Sequence, residues 1–139
     1  MSVRNKNADR IKQVLNGQCS QKNICPVKDI MARYGDKWSM YVVLLLGQHG
    51  HMRFNEISKH ISGISQRMLA VTLRSLEEDG IVLRDLYPEI PPRVEYSLTG
   101  IGESLLKQLL SLADWAEENF AEIIKARKKY EKKKGLAAV

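Results

Sequence analysis

The stretch Ser65–Thr99, SQRMLAVTLRSLEEDGIVLRDLYPEIPPRVEYSLT, decides the fold. Its first half predicts a helix that follows Ser65, a good N-cap, and ends at Gly80. Leucines at positions 69, 73 and 76 recur with helical spacing, so they are expected to face the core. The second half predicts two strands joined by a long tip that contains two adjacent prolines. A helix followed by such a hairpin is the second half of a winged helix-turn-helix.

The residues upstream of Ser65 predict the first half of the winged helix-turn-helix. A short helix is predicted with Cys25 as its N-cap and Pro26 at its first position, and Gly35 is expected to end it as a left-handed residue. Residues 37–46 predict a central helix that is apolar on nearly every side, and residues 52–54 a short strand that leads into another helix. The predicted fold class is therefore mainly α with a small β-sheet (α+β), a winged helix-turn-helix with added terminal helices.

Residues 100–139 predict one long helix, capped by Thr99, with a lysine-rich end that is expected to be frayed and solvated. Its apolar residues recur at intervals of three and four and form one seam about six turns long. Such a seam is longer than one compact domain covers, so a partner chain is expected to cover the rest. The seam consists of Ile101, Leu105, Leu109, Leu112, Ala116, Phe120 and Ile123.

The net charge of +6 lies in the two ends of the chain. Residues 1–23 carry +4, residues 24–115 carry −1 and residues 116–139 carry +3. A basic composition by itself therefore supports nucleic-acid binding only weakly. DNA binding is indicated by the positions of individual side chains instead.

The polar face of the helix after Ser65 suits DNA recognition. Gln66 and Arg67 could meet base edges, since arginine pairs with guanine and glutamine with adenine. Ala70 would permit close approach, and Arg74 and the cap could reach phosphates. The alternative interpretation is an ordinary solvated helix face. The predicted contacts on this helix are Ser65, Gln66, Arg67, Ala70, Val71 and Arg74.

The hairpin tip is the second candidate contact. Pro91 and Pro92 reduce the conformational entropy of the tip before binding, and Arg93 follows them directly. That arrangement suits a rigid wing that projects a cation along a phosphate backbone or into the minor groove. The alternative is that the prolines only prevent edge-to-edge aggregation.

Several classes of function are not indicated. The longest apolar run, Met40–Leu46, is too short to cross a bilayer, and residues 1–10 do not form a secretory signal, so a cytoplasmic protein with thiols rather than a disulfide is expected. The three histidines lack the spacing of a metal site. No nucleophile–base pattern, P-loop or dinucleotide fingerprint occurs, so neither an enzyme nor a cofactor is expected.

From Cys25 to about Trp115 the sequence resembles the HxlR-type transcriptional regulators, a branch of the MarR-like winged-helix proteins. The matching words are CPV at Cys25–Val27, GDKW at Gly35–Trp38, RFNEI at Arg53–Ile57, GISQRML at Gly63–Leu69, LRSLEEDG at Leu73–Gly80 and YPEIPPRVEYSLT at Tyr87–Thr99. One departure is Asp36, where the family usually has a second glycine; it could act as an additional N-cap.

The resemblance implies a homodimer on a pseudo-palindromic operator in double-stranded DNA, with one recognition helix of each subunit in a major groove. It also implies that the first helix, with Ile11, Val14 and Leu15, joins the last helix in the dimer interface. The chain then divides into an N-terminal arm (1–24), a winged helix-turn-helix domain (25–99), and a dimerisation helix with a basic tail (100–139).

The signal that such a regulator would sense is less defined. At a helix N-cap, Cys25 would have its thiolate favoured by the backbone amides, and family members include sensors of oxidants or electrophiles at the matching position. The disulfide partner could be a second subunit or Cys19; the alternative is an inert thiol. A small-molecule effector, in a pocket lined by Trp38, Met40 and Tyr41, is a second hypothesis. A winged-helix module that binds only proteins is a third.

Overall fold

The computed structural model describes residues 3–16 and 25–137. Residues 17–24, which include Cys19, lie outside this description. The elements are α1 (Val3–Asn16), α2 (Pro26–Tyr34), α3 (Lys37–His49), β1 (His51–Arg53), α4 (Phe54–His60), α5 (Gln66–Glu78), β2 (Val82–Tyr87), β3 (Arg93–Leu98) and α6 (Gly100–Ala137). This mainly helical fold with a small antiparallel sheet confirms the predicted class.

Helix α3 is the centre of the core, as its composition predicts. Val42, Val43 and Leu46 are at most 1% exposed, and the leucine face of α5 packs nearby. Burial of apolar side chains is the main favourable contribution to folding, at about 25 cal/mol per Å². The orientation of α5 is therefore determined by the leucines that it buries, which are Leu69, Leu73 and Leu76.

Two polar caps fix where α3 and α5 begin. The Asp36 carboxylate accepts a hydrogen bond of 2.9 Å from the backbone N–H of Ser39. The Ser65 hydroxyl accepts one of 3.0 Å from the backbone N–H of Met68. Each cap satisfies one of the N–H groups that a helix start leaves without an intrahelical partner. The N-caps expected at Asp36 and Ser65 are confirmed.

The glycines that follow α2 and α5 behave differently. Gly80 has φ of +72° and uses the left-handed region that favours glycine. Gly35 has φ of −74°, so its expected left-handed conformation was wrong. Its N–H donates a hydrogen bond of 2.9 Å to the carbonyl of Met31 while the backbone stays right-handed. The chain passes directly into the extended residue Asp36, so no reversal is needed.

The sheet has the order β1-β3-β2, with both pairs antiparallel. Residue pairing between β2 and β3 runs from Val82 opposite Leu98 to Tyr87 opposite Arg93, which leaves residues 88–92 as the wing tip. After β3, the Thr99 hydroxyl accepts a hydrogen bond of 3.1 Å from the N–H of Gly102 and caps α6. Strand β1 covers His51–Arg53, one residue earlier than the predicted strand at residues 52–54.

Helix α6 contains 38 residues and is roughly 57 Å long at 1.5 Å per residue. Its N-terminal part packs on the core through Leu105, Leu106 and Leu109. Farther along, Leu112 and Phe120 are more than half exposed. The sequence predicted fraying in the lysine-rich segment. The helix instead continues through this segment to Ala137, because lysine, glutamate and alanine are good helix formers.

A polar clamp joins the end of α2 to the end of α5. The guanidinium of Arg33 lies 2.8 Å from the Asp79 carboxylate and 3.1 Å from the Ser75 hydroxyl. The Tyr34 hydroxyl donates to the same Asp79 carboxylate and lies 3.1 Å from the Ser75 carbonyl. Burial of the Tyr34 ring and its hydrogen bond to Asp79 both favour the neutral phenol, so the pKa of Tyr34 is raised above 10.0. We call Arg33, Tyr34, Ser75 and Asp79 the α2–α5 clamp.

Replacing Tyr34 with phenylalanine tests the clamp. Tyr34→Phe removes its hydrogen bonds and should lower the free energy of unfolding by about 0.5–1.5 kcal/mol, measured by urea denaturation at pH 7. The neutral phenol is the stabilised form, so this difference should be complete below pH 10 and decrease as the pH rises through the raised pKa. Tyr41→Phe is the control, because Tyr41 is half exposed. Equal losses in the two variants would contradict the assigned role of the clamp.

Candidate nucleic-acid interface

One face of α5 carries the predicted base and phosphate contacts. Burial of the leucine face turns the opposite face to solvent, where five predicted side chains are exposed. Within the described residues, neither Arg67 nor Arg74 takes part in an ion pair. Both guanidiniums can therefore reach a nucleic acid without breaking an internal contact. The exposed side chains are those of Gln66, Arg67, Ala70, Val71 and Arg74.

The start of α5 offers backbone donors beside these side chains. Ser65 is exposed, and its hydroxyl oxygen is occupied as the acceptor of the cap. The N–H groups of Gln66 and Arg67 belong to the first turn, which has no intrahelical acceptors for them. They lie next to the exposed polar face, where such groups and the positive end of the helix dipole favour a phosphate.

The wing places its cation differently from the expectation. Arg93 lies 3.3 Å from the carboxylate of Glu89 and 3.5 Å from that of Glu95, and its guanidinium covers the Tyr87 ring at 4.2 Å. The side chain is only 28% exposed, so it is held against the hairpin and does not project freely. Pro91 and Pro92 are exposed, and Ile90 is fully exposed at the tip.

A groove of about 380 Å³ separates the wing tip from the start of α4. Arg53 and Asn55 line it from the α4 side, and both are exposed. Sequence reasoning did not identify these two residues as candidate contacts. The available signal was a cation and an amide at the start of the helix that precedes α5. The other lining residues are Phe54, the tip residues Glu89, Ile90, Pro91 and Pro92, and the β3 residues Arg93 and Val94.

Cys25 is half-buried at the N-cap of α2, in the position that the sequence predicted. Its Sγ lies 3.6 Å from the carbonyl oxygen of Val14 in α1. The thiol therefore lies at the contact between the N-terminal helix and the helix that ends in the α2–α5 clamp. Cys19, the other candidate thiol, falls outside the described residues.

The predicted effector pocket is not formed as expected. Trp38, Met40 and Tyr41 line three different hollows, because successive positions on α3 point in different directions. The hollow beside Tyr41 is a groove of about 400 Å³ between α3 and the end of α4. Its lining consists of Tyr41, Leu44, Leu45, Gln48, His60, Ile61 and Ser62.

Residues 3–16 and 25–137 contain no group of three or more His, Cys, Asp or Glu side chains placed to hold a metal ion. Over the same ranges, no helix is both long enough and apolar enough to cross a membrane.

An exposed polar face on α5, a hairpin wing and a central apolar helix define a winged helix-turn-helix protein. The family model for the HxlR-like helix-turn-helix matches residues 34–124. The chain belongs to this family, and it is a transcriptional regulator of the winged-helix type. It is 38% identical to the HTH-type transcriptional regulator YtfH of Escherichia coli over 103 residues, which cover 74% of this chain and 81% of YtfH.

Solved structures agree with this assignment. The transcriptional regulator ytfH from Salmonella typhimurium is similar with a TM-score of 0.67 at 34% identity, over 77% of this chain and 95% of that one. The redox regulator HypR in its reduced form is similar with a TM-score of 0.65 at 39% identity, over 73% and 98% of the two chains. The oxidized form of HypR is similar with a TM-score of 0.62 at 42% identity, over 68% of this chain and 97% of that one.

Proposed function

We propose that this protein is a homodimer that binds a pseudo-palindromic operator in double-stranded DNA. The observation that carries the proposal is the exposed face of α5, where Gln66 and Arg67 are held outward by the buried leucines on the other side. Helix contacts would supply sequence choice, and the amides of the first turn, Arg74 and the wing would supply phosphate contacts. Affinity should therefore decrease steeply with salt concentration.

The proposed wing contact requires an exchange of partners. Arg93 is already paired with Glu89 and Glu95, so a phosphate would have to replace these carboxylates as its counter-ion. Arg53 and Asn55 face the same groove and would reach the DNA backbone beside the tip. We assign the wing to positioning on the backbone, and α5 to the reading of bases.

The proposed dimer interface consists of the exposed apolar residues of α1 and α6. Ile11 and Leu15 on α1, and Leu112 and Phe120 on α6, are each more than half exposed. Val14, Ala116 and Ile123 are half-buried and belong to the same proposed interface, whereas Leu105 and Leu109 also pack on their own core. In this proposal residues 1–24 and 100–139 assemble the dimer, and residues 25–99 bind DNA.

The proposed signal is oxidation of Cys25. Its thiol would join a second thiol in a disulfide and release two protons and two electrons to the oxidant. The second thiol belongs either to the other subunit or to Cys19. Helix α2 runs from Cys25 to the α2–α5 clamp, so a displacement at the thiol would be transmitted to the recognition helix. Support comes from similar proteins: HypR has been solved oxidized and reduced, and YodB of B. subtilis reduced and after diamide treatment.

A small-molecule effector is a second candidate signal. The groove beside Tyr41 has a volume suited to a small ligand and combines apolar walls with Gln48 and His60 as polar groups. Such an effector would change operator affinity in the Cys25→Ser protein as well, whereas a thiol oxidant acting through Cys25 would not.

Arg67→Ala tests base recognition. A base-reading arginine should contribute roughly 1–3 kcal/mol, so its loss should weaken operator binding by about 5- to 150-fold and relax the sequence preference at one position of each half-site. Gel shifts with a set of operator variants measure both effects. Lys107→Ala, an exposed cation on α6, is the control and should change affinity little. Unchanged operator binding and preference in Arg67→Ala would refute this role.

Phe120→Asp tests the dimer interface. A phenylalanine buried by the partner contributes about 1.5–3 kcal/mol per copy, so the dimer dissociation constant should rise at least tenfold. Sedimentation equilibrium measures this dissociation constant directly. Ala121→Asp adds the same charge at an exposed position about 100° around α6 from Phe120, away from the other seam residues, and should leave the dimer intact. A dimer that tolerates Phe120→Asp would place the interface elsewhere.

Diamide treatment tests the thiol switch. Specific operator binding in a gel shift should be lost or gained on oxidation, and the Cys25→Ser protein should not respond. Cys19→Ser serves as the comparison: a normal response with a disulfide-linked dimer on a non-reducing gel identifies the intersubunit bond. Operator binding that is indifferent to diamide in the unmodified protein would remove the switch and leave DNA recognition unaffected.

A further inference from the structure

The C-terminal part of α6 carries a stripe of lysines that the proposed operator contacts do not use. Helical geometry advances 100° per residue, so these five side chains fall within an arc of about 140° on one side of the helix. All five are exposed. Within the described part of the chain, none of them takes part in an ion pair. We call Lys125, Lys128, Lys129, Lys132 and Lys133 the lysine stripe.

The stripe lies on the side of α6 opposite the apolar seam. The seam residues Leu112, Ala116, Phe120 and Ile123 are centred about 165° around the helix from the stripe centre. A partner that covers the seam would therefore leave the lysines facing solvent. From residue 125 onward the only acidic residue is Glu131, and its position lies off the stripe. Glu118 and Glu122 lie on the stripe side but before its first lysine.

The residues around the stripe indicate a partner that is recognised through charge. Between residues 125 and 137 the only large apolar side chains are those of Tyr130 and Leu136. A helix that lies on a membrane needs a broad apolar face, and the centre of a protein interface is rich in apolar and aromatic residues. Neither is present here. The stripe also lies just beyond residues 34–124, the part of the chain that the family model matches.

We propose that the lysine stripe is a second DNA-binding surface, which holds the phosphate backbone of duplex DNA without regard to sequence. Its lysines span roughly 12 Å of helix, about one cation per 2.4 Å. Duplex DNA carries one negative charge per about 1.7 Å, so the two charge densities are of the same order. The stripe is tethered to a DNA-binding domain by a continuous helix, which raises the local concentration of duplex around it. This inference builds on the proposed DNA-binding function.

Two matched double variants of the full-length protein test the proposal. Lys128→Gln with Lys132→Gln removes two charges from the stripe, and Arg127→Gln with Lys134→Gln removes two charges from the other side of the same helix. Binding is measured to a duplex without an operator, over a range of salt concentrations. Each phosphate contact contributes about 0.9 to the slope of log K against log salt, so the magnitude of this slope should fall by about 1.8 in the stripe variant. The slope of the off-stripe variant should change much less.

The outcomes separate the alternatives. The proposed DNA-binding surface is supported if only the stripe variant shows a shallower salt slope and an affinity about tenfold lower at 0.1 M salt. Equal losses of slope and affinity in both variants would assign the effect to net charge and overturn the proposal. No loss in either variant would also overturn it. Binding to phosphatidylserine vesicles that is lost in the stripe variant, with duplex binding intact, would also overturn it. If Arg67→Ala leaves operator binding and sequence preference unchanged while the stripe result holds, only the proposed operator function falls.

Discussion

The packing of α5 on α3 determines where the candidate base contacts lie. Leu69, Leu73 and Leu76 are at most 1% exposed, and their burial leaves only one orientation for the rest of the helix. Rotation of α5 by one residue would expose leucines and bury charged groups, and burying an unpaired charge is far more costly than losing a single hydrogen bond. The same constraint that stabilises the core therefore presents Gln66 and Arg67 to solvent.

Helix α2 links this recognition face to the part of the chain proposed to sense and to dimerise. Its first turn begins at Cys25, whose Sγ touches the Val14 carbonyl, and its last turn holds Asp79 at the end of α5. Nine residues of helix form a short, stiff connection between these two points. A signal at one end need only shift α2 slightly, because packed helices move as units and do not deform smoothly. The clamp thus gives the proposed switch a physical route.

Local features of the fold could be predicted from the sequence, and features that join distant segments could not. The caps Asp36 and Ser65 and the leucine spacing of α5 depend on residues within a few positions of one another. The clamp joins Arg33 to Asp79 across 46 positions, and no pattern in the sequence marks that pair. Arg93 was expected to project, but its neighbours are set by the hairpin register, which places it opposite Tyr87.

A footprint on the DNA upstream of the protein's own gene tests the central claim, dimeric recognition of an operator, most directly. Two protected half-sites that are related by inverted sequence are expected. Their centres should be about 10 base pairs apart or a multiple of that, because each recognition helix enters the major groove on one side of the duplex. Uniform protection that shows no preferred position, at concentrations where the protein is dimeric, would contradict the account.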